Sequence, residues 1–108
     1  MREIKFRSWH KMNKEMDYWD LEDRDYYAVT EPETHVIMQY TGLKDKNGKD
    51  IYEGDIFTIT TGEEETNIVE FYNGEYFLLD HGLNLSKWNN DGKVIGNIYE
   101  NPELVKEK

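Results

Sequence analysis

The sequence predicts a mainly β fold, a small barrel or roll with an N-terminal β-strand pair and little helix. Three observations carry this. Apolar and polar residues alternate with period two in short runs such as "REIKFRSW". Turn residues, among them Asn47-Gly48, Gly54-Asp55 and Asn73-Gly74, punctuate the chain at intervals of roughly 8–12 residues, the spacing of small all-β domains. No stretch sustains apolar residues at i, i+3, i+4 and i+7 over the roughly ten residues that a helix needs.

The elements follow in order. In the first strand Ile4 and Phe6 share one face and Glu3, Lys5 and Arg7 the other, which predicts an apolar inner face and a charged outer one. "HKMNKEM" places Asn13 near a turn, and "MDYWDL" returns as the second strand. "EDRDYYAVTEPETH" is acidic and contains Pro32; it reads as a loop with a short strand at Tyr26 to Val29. "HVIMQY" is the third strand. Asn47-Gly48 suits a type I′ turn, in which both central residues need positive φ. Gly54 sets a turn before the β-branched strand from Asp55 to Thr61. "GEEET" then turns the chain into "NIVEFYNGEYFLLD", the clearest hairpin. With Asn73-Gly74 as its loop, Tyr72 faces Glu75, Phe71 faces Tyr76 and Val69 faces Leu78. Val69, Phe71, Tyr76 and Leu78 then share the core side, and Ile68, Glu70, Phe77 and Leu79 the other. A slip of one residue would exchange the faces. "HGLNLSKW" bends away, a short strand spans Val94 to Ile98, and Asn101 caps one helical turn after Pro102.

At 108 residues the chain fits one domain with one modest core, burying roughly two-thirds of its unfolded surface. Three Trp, eight Tyr and four Phe argue for a packed fold. The absence of cysteine excludes a disulfide framework and thiolate metal sites. No apolar run approaches the roughly 20 residues that span a bilayer, and "MREIKFRSW" lacks the apolar stretch of a signal peptide. A cytoplasmic protein is expected. Net charge is −10 and uneven. Residues 1–14 carry five bases and one acid, residues 15–35 eight acids and one base, and residues 57–80 six acids and no base. Such a surface disfavours non-specific nucleic-acid binding and favours either solubility or a basic partner.

Lys49 follows Gly48, but a phosphate loop needs G-x-x-x-x-G-K-[ST] leading into a helix. Here the glycine spacing from Gly42 is one residue too long, Asp50 replaces the hydroxyl, and a strand follows. "DKNGKD" fails as a calcium loop, because Gly48 comes two residues early and Ile56 stands where a bidentate Glu belongs. His10, His35 and His81 show no metal-binding spacing, and Ser8, Ser86, Thr58, Thr60 and Thr61 lie in no nucleophile elbow. No catalytic residue, metal or cofactor is therefore expected. Trp9, Trp19, Trp88, Tyr72 and Tyr99 either pack the core or present a recognition surface. Glu63, Glu64 and Glu65 read as a solvated turn or an anionic knob.

The segments "MREIKFRSWHKMNKEM", "MQYTGLKDKNGKDIYEGDIF" and "VIGNIYENPEL" together resemble the YopX family of phage and prophage proteins. The resemblance covers both ends and the centre, in the same order. It implies an SH3-like barrel over residues 36–99, preceded by an N-terminal β portion over residues 1–35 with its acidic loop and followed by a tail at 100–108. It also implies life inside a bacterial host cell, and it transfers no catalytic residues. The expected function is that of a non-catalytic protein-binding module, acting on a host or phage protein or on a second copy of itself. Ile68, Phe77, Leu79 and Trp88 form the candidate interaction surface. Two alternatives are an acidic mimic of DNA, and a nucleic-acid-binding domain using a basic patch of Arg2, Lys5, Arg7, Lys11 and Lys14.

Overall fold

A computed structural model describes residues 3–24, 26–59, 65–78 and 82–105, and places them in two antiparallel sheets. The first sheet holds β1 (Lys5–His10), β2 (Glu15–Asp20), β3 (His35–Lys44) and β4 (Asp50–Tyr52), in the order β2-β1-β3-β4. The second holds β5 (Asp55–Ile59), β6 (Glu65–Tyr72), β7 (Glu75–Leu78), β8 (Leu83–Asn84) and β9 (Gly92–Asn97), in the order β8-β7-β6-β5-β9. Among the described residues helix is confined to α1 (Tyr26–Thr30), α2 (Leu85–Trp88) and two 3-10 turns, Asn89–Asp91 and Pro102–Val105. The mainly β class is as the alternation predicted. The barrel, however, is open: among the described residues the two sheets share no ladder. Asp45 ties them instead, because its Oδ2 accepts Val94 N at 2.8 Å while Lys46 N donates to Gly92 O at 3.0 Å.

The β6–β7 hairpin has the expected register. Val69 pairs with Leu78, Phe71 with Tyr76 and Tyr72 with Glu75. Asn73 (φ 52°) and Gly74 (φ 82°) are both left-handed, as a type I′ turn requires. Val69 and Leu78 are fully buried, with Ile51, Phe57, Ile59 and Leu85 around them. Phe71, expected on the core side, lies on the same strand face but beyond the end of the core, and is exposed.

The Asn47-Gly48 turn is of another kind. Only Gly48 has positive φ, at 83°. Asp45 Oδ1 accepts both Asn47 N at 2.8 Å and Lys49 N at 3.0 Å, and Gly48 N donates to Asp45 O at 2.9 Å. The aspartate side chain therefore builds the turn around itself, and Asn47 has no need of the left-handed region. Gly54 (φ 83°) turns the chain between β4 and β5 as expected.

Two expectations are corrected. Tyr26 to Val29 is helix, not strand; Ala28 is buried, and α1 packs on β3. Packing has overridden the β preference of Tyr and Val, which depends on context. The faces of β1 are also reversed. Phe6 turns to the outer side, where it stacks on Trp19 with centroids 4.8 Å apart. Arg7, placed by the sequence on a solvated face, points between the sheets and is 3% exposed.

Candidate functional site

Two clefts open where the sheets meet, and they share no residue. The larger, of about 460 Å³, is walled by β1, β2, β4, β9 and the turn after it. Its floor is an ion pair: Arg7 Nη2 lies 2.9 Å from Asp55 Oδ1 and donates to Glu53 O at 2.9 Å. The guanidinium sits 4.8 Å from the Tyr52 ring centre. Asp55 Oδ2 accepts Tyr52 N at 2.7 Å. Burial pushes the Asp55 carboxyl above the ordinary carboxylate range, against the pull of Arg7. On the rim, Asp50 takes Lys5 Nζ at 2.6 Å and Lys44 Nζ at 2.5 Å. Burial raises Asp50, but the hydrogen bonds from Lys44 and Lys5 outweigh it and hold the carboxyl below its ordinary value.

The smaller cleft, of about 280 Å³, lies between β3 and β6 and is open along two strand edges. Its residues include Val36, Ile37, Phe71, Glu70 and Tyr99. Gln39 N donates to Glu53 Oε1 and Gln39 O accepts Glu53 N, so the Gln39 peptide groups face away from β1. Backbone direction alternates along a strand, so the N–H and C=O of Ile37 face the same way. β4 pairs with β3 only at Tyr40 and Lys44 and does not reach them. On β6, Val69 O accepts Gly54 N on the β5 side. By the same alternation Phe71 turns its N–H and C=O to that side, whereas the β5 ladder ends at Ile68. Ile37 is 42% exposed, Phe71 53% and Tyr72 63%.

The sequence-predicted site residues are scattered by the fold. Ile68 and Phe77 are half-buried, Trp88 packs against the core cluster, and Leu79 lies outside the described residues. Among the described residues the basic patch is divided. Arg7 is buried on Asp55, Lys5 is held by Asp50, and Lys11 Nζ donates to Glu33 O at 3.1 Å. Lys14 is exposed in the β1–β2 turn with φ 57°, and Arg2 lies outside the described residues. Ser8, considered as a hydroxyl nucleophile, is buried and accepts Trp19 Nε1 at 2.7 Å. Asn47, Gly48, Gly54, Asp55, Asn73 and Gly74 all serve turns, and Asp55 in addition anchors Arg7. Sequence reasoning missed Ile37, Phe71 and Tyr99 as neighbours. The one available signal was that "HVIMQY" is longer than the strand segment left to pair with it. Among the described residues no group of three or more His, Asp or Glu could hold a metal ion, and no helix is long and apolar enough to cross a membrane.

The protein EF1440 from Enterococcus faecalis, known from a crystal structure, is 26% identical to this chain. The similarity spans 98% of this chain and 100% of that one, with a TM-score of 0.74. No curated protein matches. A family model described as YopX protein matches residues 20–106. Those residues run from the end of β2 to the C-terminal turn, and so take in the smaller cleft and every strand from β3 to β9; the chain belongs to the YopX family.

Proposed function

We propose that this protein is a non-catalytic protein-binding module that takes an extended segment of a basic partner into the cleft between β3 and β6. The observation that carries the reading is the pair of strand edges at Ile37 and Phe71 that no ladder covers among the described residues, on opposite sides of one groove. Edge N–H and C=O groups are a template for an added strand, whose backbone supplies affinity while alternate side chains supply selectivity. Ile37, Phe71 and Tyr99 line the groove and offer apolar contacts to such a strand. Glu70 and Glu75, both exposed on the same hairpin, and the chain's −10 charge favour lysine and arginine in it. The place of action is the cytoplasm of a bacterial host, with the protein as an accessory of a phage or integrated prophage; this part rests on family resemblance.

The test compares affinity capture from host lysate by the wild-type chain, Ile37→Pro and Phe71→Ser, followed by titration of the purified partner. Ile37→Pro removes one edge-facing N–H that β1 does not use. Both variants are expected to lose the partner while keeping the wild-type unfolding midpoint within a few degrees. Equal retention by all three proteins refutes the groove. A doubling of solution mass that vanishes in the variants would identify the occupant as a second copy.

A further inference from the structure

The larger cleft has an imbalance of hydrogen-bonding capacity. Its carboxylates are engaged: Asp50 by Lys5 and Lys44, Asp55 by Arg7 and Tyr52 N, and Glu100 by Asn97 Nδ2 at 2.7 Å. Its donors are not. Lys49 is exposed at the rim, and its ammonium has no acceptor among the described residues. Asn101 uses its Oδ1 on Asn97 N at 3.1 Å, which leaves the Nδ2 donors over. Neither the Tyr18 nor the Tyr52 hydroxyl has a hydrogen bond among the described residues, and Arg7 Nε is buried without an acceptor. The lining holds Arg7 and Lys49 beside Asp50, Asp55 and Glu100, and Lys5 and Lys44, which stand behind the rim, neutralise Asp50.

An aromatic wall stands beside these donors. Tyr18 is 59% exposed and meets Tyr52 edge-on, with centroids 5.5 Å apart. The volume of about 460 Å³ lies within the range of small-molecule sites. We propose that this cleft binds a small organic anion, an aromatic ring bearing one carboxylate or phosphate, with the charge on Lys49 and the ring against Tyr18. The buried Arg7–Asp55 pair is the rigid floor of the site and makes no ligand contact. This site is independent of the strand-binding groove, since the two clefts share no lining residue.

The test is amide chemical-shift titration of the full chain with benzoate, phenyl phosphate and neutral benzamide. One or both anions are expected to saturate at about 1 mM or below, with shifts centred on residues 49–52 and 94–101. Benzoate against phenyl phosphate decides which anionic group the site prefers. Lys49→Gln should weaken binding about fivefold, and Lys87→Gln, on α2 and outside the cleft, should leave it unchanged. Both substitutions are at exposed positions and leave the core intact. The proposal is overturned by the absence of saturable shifts at about 10 mM, by equal affinity in Lys49→Gln, or by benzamide binding as well as the anions.

Discussion

Arg7→Met would leave Asp55 buried at the floor of the larger cleft without its cation. Both side chains are 3% exposed, and Arg7 Nη2 serves two acceptors, Asp55 Oδ1 and Glu53 O, each at 2.9 Å. Removing one member of a buried pair costs about 3–5 kcal/mol, because the remaining charge is uncompensated. The lost bond to Glu53 O adds about 1 kcal/mol. Asp55→Asn should cost a similar amount for the opposite reason. Its amide oxygen can still accept Tyr52 N, so the loss reports on the stranded guanidinium rather than on the β4–β5 turn. Arg7→Met/Asp55→Asn strands neither charge, and its cost should fall well short of the sum of the singles, with a coupling energy on the order of 2 kcal/mol. Urea unfolding followed by tryptophan fluorescence, with m held common to the four proteins, measures the cycle. Single losses below about 1 kcal/mol, or strict additivity, would show that the pair does not fasten β1 to the second sheet.

Further outcomes are expected elsewhere. Gly92→Ala should destabilise far more than Gly74→Ala in thermal melts. A Cβ on Gly92 meets Thr58 O at 2.3 Å and the Phe57 ring at 2.6 Å, whereas one on Gly74 meets open space and costs only about 1–2 kcal/mol for its left-handed backbone. Ser8→Ala strands the Trp19 indole N–H and should cost about 1–3 kcal/mol in the same melts. The depressed Asp50 carboxyl contributes stability that is present above the ordinary carboxylate range and lost as pH falls through its folded value. Asp55, raised by burial, acts with the opposite sign: its contribution is present in acid and lost as pH rises through its folded value. Asp50→Asn should therefore flatten the acid limb of the melting temperature against pH, and an unchanged limb would contradict the clamp.

The parts of this fold that were legible in the sequence are the local ones. Asn73-Gly74 sets the hairpin register by itself, since both residues take the left-handed backbone that pairs Tyr72 with Glu75. Asn47-Gly48 looks the same in sequence and folds differently, because Asp45, two residues earlier, captures the turn with its side chain. The faces of β1 were misread for a longer-range reason. Period two separates Phe6 from Arg7 but does not say which face is inside, and the partner that draws Arg7 inward is Asp55, on another sheet. The clefts were illegible for the same reason. Ile37 and Phe71 border one groove only because β4 is too short to cover β3 and β5 too short to cover β6.

The strand-binding groove is tested most directly by selecting peptides from a random display library on the wild-type chain and mapping the winners by amide exchange. The account predicts extended sequences that mix aliphatic residues with Lys or Arg, bind more weakly as salt rises, and slow exchange at Ile37 and Phe71 together. Peptides that protect neither amide, or that bind Ile37→Pro as tightly as the wild type, would contradict it.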